Sequence, residues 1–460
     1  MLHLIIETAQ FHAMSISVEP RHNTALHESI SMANERSWLE GNSCFPFARK
    51  FIPHLLKRQM YTASPSQSSK LSEQKTLSTW ITVLLASACG LVAANLYYAQ
   101  PLVGPIREAL GLSPAAAGLV VTMTQIGYGA GLLLLVPLGD LFENRRLVLS
   151  LMGLVVLALL GAAVSTGALS FLVSMLFIGL GSVAVQVLVP YAAHLSPEAT
   201  RGRSVGNVMS GLMLGIMLAR PLASIITAFS SWHTVFLLSA ALMVVLALVL
   251  GRALPRRIPV SCLSYGSLLA SMWHLMLATP VLRRRALYQA CLFGAFSLFW
   301  TTTPLLLAGQ FGFSQVGIAL FALAGVAGAI ASPIAGRVAD RGWGRCGTAG
   351  AMALVALSFL MSHIGQSGST TALAMLVCAA ILLDFGVAAN LTFGQRIIFS
   401  LSAEYRSRLN GLYMAGFFLG GALGSALGGW AYAYGGWMLA SWIGVALPVA
   451  ALLFFTTEPK

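Results

Sequence analysis

The chain reads as an all-α membrane protein: twelve transmembrane helices in two pseudo-repeated six-helix bundles around a central cavity. Three observations predict this. The first is composition. Of 460 residues, 57% are hydrophobic and only 9% are charged, and the mean hydropathy is +0.81. A soluble protein keeps roughly a quarter of its residues charged, so this one cannot cover a water-facing surface and belongs in a bilayer. The second is span length. About 20 apolar residues cross a bilayer as a helix, and twelve such stretches follow one another at 79–100, 116–138, 147–166, 170–193, 205–228, 233–251, 286–307, 316–336, 347–365, 371–393, 409–431 and 436–456. The third is internal repetition. At one constant offset, Arg201, Arg203, Gly206, Gly211, Gly215 and Trp232 fall on Arg406, Arg408, Gly411, Gly416, Gly420 and Trp437. Parallel repeats with a solute site at their interface are a transporter architecture.

Residues 1–78 precede the first span. They are polar, rich in Ser and His, and lack the basic-then-apolar layout of a signal peptide. They read as a largely disordered cytoplasmic extension. Met60 opens a stretch that also suits a short leader, so Met1 and Met60 are both readable as starts. The first bundle then occupies 79–251, a linker 252–285 and the second bundle 286–456. If the N-terminus is cytoplasmic, every Lys and Arg among the 27 lies on the cytoplasmic side except Arg107 and Arg220. That bias places both termini on the cytoplasmic side, and the expected location is a bacterial cytoplasmic (inner) membrane. The linker carries Leu268, Leu269, Met272, Trp273, Met276 and Leu277 at helical spacing, too short to span. It predicts an amphipathic helix on the inner membrane surface.

The net charge of +13 is spread in short clusters between apolar runs, which argues for membrane topology and against a nucleic-acid partner. The six cysteines are scattered with no CxxC pair, so neither a zinc site nor a disulfide framework is read. There is no Walker A sequence, metal-ligand cluster or recognisable nucleophile–base set, and no enzyme is expected.

Twelve spans, a basic central loop and a repeated G-x-x-x-D-R-x-x-x-R loop together resemble the major facilitator superfamily over residues 79–456. The second copy of the loop is Gly336, Asp340, Arg341 and Arg345. The first has Gly139 and Glu143, with Asn144 in place of the arginine and Arg145 and Arg146 beside it. The resemblance implies that this loop joins the second and third helices of each half. Its acid would meet helix ends and arginines of the neighbouring bundle and latch the outward-open form. The fifth span is similar to the glycine-rich signature of the drug/proton antiporter branch. Gly206, Gly211 and Gly215 lead to Pro221, but Arg220 stands where that signature has glycine. Small residues four apart let helices approach closely, and Pro221 interrupts the helix ladder. The eleventh span has its own row, Gly416, Gly420, Gly424 and Gly428, read as tight packing at a rocking seam. Met175 stands where many proton-linked relatives carry an arginine in the fourth span.

Two charges lie deep in spans. An arginine at a span centre costs about 2.5–3.5 kcal/mol on insertion scales. Arg220 is about 16 Å from Ser231 at 1.5 Å per residue, and Asp384 about 18 Å from Arg396. Neither snorkels easily, so each needs protein or a wet cavity around it. In the resembled fold the first, fourth, seventh and tenth helices line the cavity, and Asp384 is on the tenth. Asp384 is therefore the candidate coupling acid, and Arg220 its modulator or an anion site. Asn95, Tyr98, Gln100, Gln125, Gln186 and Asn390 are further candidates for the cavity wall or for helix-to-helix bonds.

The expected function is secondary active transport of a small organic solute, outward in exchange for protons. The energy source is the proton gradient, no cofactor is needed, and a monomer is favoured. The sparse charge favours a neutral, amphipathic or weakly cationic solute. The alternatives are symport of a weak organic anion with protons, using Arg220 as the anion site, and a non-transporting membrane sensor or scaffold.

Overall fold

The computed structural model describes residues 79–257, 264–402 and 405–458. The N-terminal extension, with Met60, and the start of the linker lie outside the described residues. Almost everything described is helical. Ten segments are long and apolar enough to cross a membrane. The last of them, Arg406–Thr456, is two helices joined at Gly436, whose φ of 58° lies in the left-handed region that glycine enters without steric penalty. The shorter apolar helix Thr79–Ala94 supplies the first span, so twelve spans are present among the described residues.

The first span differs from its sequence boundaries. Its α-helix stops at Ala94, runs through a turn and the 3-10 segment Gln100–Leu102, and resumes as Val103–Ala109. Pro101, which has no N–H to donate, sits in that break. The second span runs Pro114–Asp140, the third Asn144–Ala163, the fourth Ala168–Leu195, the fifth Arg201–Phe229 and the sixth Trp232–Ala253. The seventh is Pro280–Gln310, the eighth Gln315–Asp340, the ninth Gly344–Met361 and the tenth Thr370–Leu401. The fifth helix continues through Pro221.

Glycine rows set the pairing inside each half. A Cβ on Gly211 or Gly215 would collide with the backbone of Ala86 and Gly90 on the first span. In the second half, Gly420 and Gly424 abut the backbone of Ala290 and Gly294 on the seventh span. Gly416 and Gly428 lie against Ala286 and Leu298, at 3.3 and 3.1 Å from a built Cβ. The eleventh-span row therefore packs within its own half rather than at the seam between halves. The seam uses the neighbouring face of that helix, where Ser425 and Gly429 abut Gly118 of the second span and Thr122 bonds Ser425 at 2.8 Å. A row spaced by four keeps to one face of a helix, so residues one position along turn toward a different neighbour.

The linker helix is Tyr265–Ala278. Its apolar stripe is divided. Leu268 and Met272 are buried against protein, whereas Trp273 and Leu277 are 67% and 53% exposed. Met272 packs with Leu282, Leu409 and Leu412, so half of the stripe docks the helix on the second bundle.

Candidate functional site

The two deep charges share one buried cluster. It is built by five spans, two from the first half and three from the second. The break in the first span buries Gln100 completely, and Arg220 is only 4% exposed. Arg220 Nε donates to Gln100 Oε1 at 2.7 Å. The Arg220 guanidinium lies over three rings: Trp300 at 4.3 Å, Phe296 at 5.0 Å and Tyr97 at 5.3 Å. Stacking of this kind is worth most when desolvated. Trp300 Nε1 in turn donates to Asp384 Oδ1 at 2.8 Å. A single indole therefore touches both charges, the cation on its face and the carboxylate at its N–H.

The eighth span makes this approach possible. Its helix is interrupted by the 3-10 segment Leu323–Ala327. A Cβ built on Gly325 would sit 2.8 Å from Asp384 Oδ2, 3.2 Å from Arg220 Nη1 and 3.2 Å from Trp300 Cζ2. Only a residue without a side chain leaves this space. The first two distances also cap the separation of Nη1 and Oδ2 at their sum. No nitrogen of Arg220 comes within 4.0 Å of an Asp384 oxygen among the described ion pairs, so the two charges face each other across a narrow gap. Two buried donors of the cluster have no acceptor among the described residues: Arg220 Nη2 and Gln100 Nε2. A cavity of about 10 Å³ adjoins Arg220, Trp300 and Thr303, room for about one water molecule.

The other polar candidates mostly tie helices together. Asn95 donates to the carbonyls of Leu91 and Val92 and accepts from Ser239 at 2.6 Å. Gln125 donates to Ser297 across the two halves at 2.8 Å, Gln186 to Tyr128 at 3.0 Å, and Asn390 to Gln289 at 2.6 Å. Tyr98 alone of the six lines the groove of about 910 Å³ that runs between the first and fifth spans. That groove touches neither Arg220 nor Asp384. It follows Leu214, Leu218 and Leu222, a row on the opposite face of the fifth helix from Arg220, so its size does not make it the chemical centre.

The loop acids stay within their own halves. Glu143 pairs with Arg146 at 2.8 Å, and Asp340 with Arg396 of the tenth span at 2.6 Å. Arg145 donates to the carbonyls of Leu254, at 3.0 Å, and Gly251, at the end of the sixth span. Arg345 donates to the Glu458 carbonyl at 2.7 Å, and Arg341 is exposed. Gly139 and Gly336 have no atom near enough to forbid a side chain. The bond to the neighbouring bundle that the family resemblance implied is absent among the described residues. The halves meet instead along the second and eleventh spans, where Tyr128 lies against Phe418 at 4.3 Å, and between the fifth and eighth spans. The fifth span packs on Gln315–Ala322 and Leu323–Ala327, while Gly328–Asp340 packs mainly on the tenth and ninth spans.

Trp300, Phe296 and Gly325 escaped the sequence reading. Nothing in "FSLFWTTTPLL" or "LAGVAG" marks which residue faces a charge. A second cluster also escaped it. Arg285, 6% exposed, holds Glu458 at 2.6 Å and Thr348 at 3.3 Å, and Tyr288 donates to the same carboxylate at 3.2 Å. This ties the chain's last described residue to the seventh and ninth spans.

Two repeated helical halves meeting over a buried, intramembrane charge cluster define a membrane transporter rather than an enzyme. The chain belongs to the Major Facilitator Superfamily, whose model matches residues 85–381. The uncharacterized transporter YgaY of Escherichia coli O157:H7 is 39% identical over 378 residues, covering 82% of this chain and 95% of that protein. The probable transporter SCO4007 of Streptomyces coelicolor is 34% identical over 358 residues, 77% of this chain and 82% of that protein. Among solved structures, the nucleoside transporter NupG superposes with a TM-score of 0.67 at 15% identity, covering 83% of this chain and 100% of that one. A D-xylose-proton symporter superposes at 0.63, also at 15% identity, with 83% and 97% covered. At such identity these two likenesses establish the fold alone.

Proposed function

We propose that the protein is a proton-coupled secondary transporter of a small organic solute, working by alternating access with Asp384 as the coupling acid. The carrying observation is the cluster itself. Asp384 is buried across a narrow gap from Arg220 and is bonded to Trp300, whose ring meets the Arg220 guanidinium, so their attraction spans the two halves that must separate for the site to open. A proton on Asp384 removes the attraction that holds the halves together there, so protonation and opening are linked. The arginine distribution supports a bacterial cytoplasmic membrane with both termini inside. The proton gradient supplies the energy, no cofactor takes part, and the monomer is the working unit.

Direction follows from which ligand competes with the proton. A cationic solute that displaces a proton from Asp384 moves against protons, which is the outward exchange the drug-efflux resemblance implies. An anionic solute held by Arg220 moves with them. The acceptor-less Nη2 of Arg220 favours the second case. The test is proton movement in inside-out vesicles, with lipophilic cations, sugars, amino acids and weak acids offered in turn to wild type and Asp384→Asn. Solute-induced collapse of the gradient that needs Asp384 supports the reading. Equal proton movement in the variant, with protein still in the membrane, overturns it.

A further inference from the structure

We propose that the Arg220–Gln100 pair is a carboxylate site, and that the transported solute is a small organic anion moving in the same direction as the proton. This rests on the proton-coupled reading above. Two orphan donors mark the site. Gln100 Oε1 accepts from Arg220 Nε, so the amide adjoins the guanidinium and its nitrogen, Nε2, is left for another partner. Arg220 Nη2 and Gln100 Nε2 are both enclosed, and both lack an acceptor among the described residues. Buried donors are normally satisfied, and leaving one unmade costs more than a bond yields. The cavity beside Arg220 holds only about one water molecule, so a two-oxygen acceptor enters as the halves part. Two such donors on adjoining groups then present the pattern it fills, with the guanidinium supplying charge and planarity.

The surroundings select further. Tyr97, Phe296 and Trp300 ring the guanidinium, so the rest of the solute meets aromatic surface. An apolar or aromatic monocarboxylate suits this better than a sugar or polyanion. The neighbouring carboxylate sets the coupling sign. Arg220 has one full charge to give, and Asp384 faces it across the Gly325 gap. A second carboxylate on Arg220 repels an ionised Asp384 and tolerates a neutral one. Anion binding and protonation of Asp384 therefore reinforce each other, which is the requirement for moving both together.

The experiment uses the full chain purified in detergent and weakly buffered. Benzoate, hexanoate and phenylacetate are titrated against benzamide, hexanamide and phenylacetamide, reading tryptophan fluorescence and proton uptake. The expected result is saturable binding of at least one acid, its amide weaker by about tenfold or more, and proton uptake accompanying the anion. Gln100→Leu, which keeps Arg220, should weaken the acid and not the amide. Arg220→Gln should erase the difference. The inference is overturned if no acid of the panel binds at millimolar concentration, or if acid and amide bind alike. If acids bind but Asp384→Asn leaves proton uptake unchanged, the carboxylate site stands and the proton-coupled reading fails. If a lipophilic cation moves protons through Asp384 while no acid binds, the reverse holds.

Discussion

Gly325→Ala places a methyl group where three groups of the cluster converge. The built Cβ lies 2.8 Å from Asp384 Oδ2 and 3.2 Å from both Arg220 Nη1 and Trp300 Cζ2. All three atoms must give by several tenths of an ångström, and none is free to do so. The guanidinium is held by Gln100 and Trp300, and the carboxylate by the Trp300 N–H. Overpacking of this kind costs about 1–3 kcal/mol. Against it stands the gain of alanine over glycine in helical backbone, up to about 1 kcal/mol. Gly328→Ala separates the two effects. It lies one turn along the same span, where a Cβ meets Asp384 at an ordinary 3.4 Å. It collects the propensity gain without the strain. The difference between the variants should be about 1–3 kcal/mol in thermal unfolding of the purified protein. In Asp384-dependent proton movement the same strain should appear as a loss of about tenfold for Gly325→Ala, each 1.4 kcal/mol being a factor of about ten. If the two variants unfold together and move protons equally, the Gly325 approach has no functional weight and the reasoning fails.

Trp300→Phe keeps a ring over Arg220 and removes the donor to Asp384. It should cut proton movement by about tenfold, the worth of a bond to a charged group, and leave membrane expression unchanged; quantitative vesicle assays check both. Gly215→Leu should force the first and fifth helices apart and lower the yield of folded protein sharply, as size-exclusion profiles will show, because the collision is with backbone that cannot rotate away. Glu458→Gln removes the ionic partner of a nearly buried Arg285 and should cost about 2 kcal/mol in thermal unfolding. Asp340→Ala breaks a pair whose side chains are both more than half exposed, and should change the same midpoint by less than about 1 kcal/mol.

Much of this molecule was legible in one dimension. Span length and hydropathy are local quantities, because a helix in lipid must satisfy its own backbone and cover itself with apolar side chains. The twelve spans follow from that, as does the paired architecture from the repeated Arg201 and Arg406 segments. The cost of a charge in a membrane is also local, so Arg220 and Asp384 stood out as the residues that needed a reason. Pairing is another matter. Gly416 to Gly428 announced close packing, but the row says nothing of whether the seventh span or the opposite bundle lies against it. The linker stripe announced an amphipathic helix, and docking on Leu282 and Leu409 then claimed half of it. Asn95, Gln186 and Asn390 could each have faced a cavity, and each met a neighbouring helix. Above all, the sequence separates Gln100, Arg220, Trp300, Gly325 and Asp384 onto five spans. Their meeting depends on how far each helix is rotated and where the first and eighth are broken. Those are set by packing among distant residues. Local hydropathy decided which charges were costly; only the tertiary arrangement decided that one indole would sit between them.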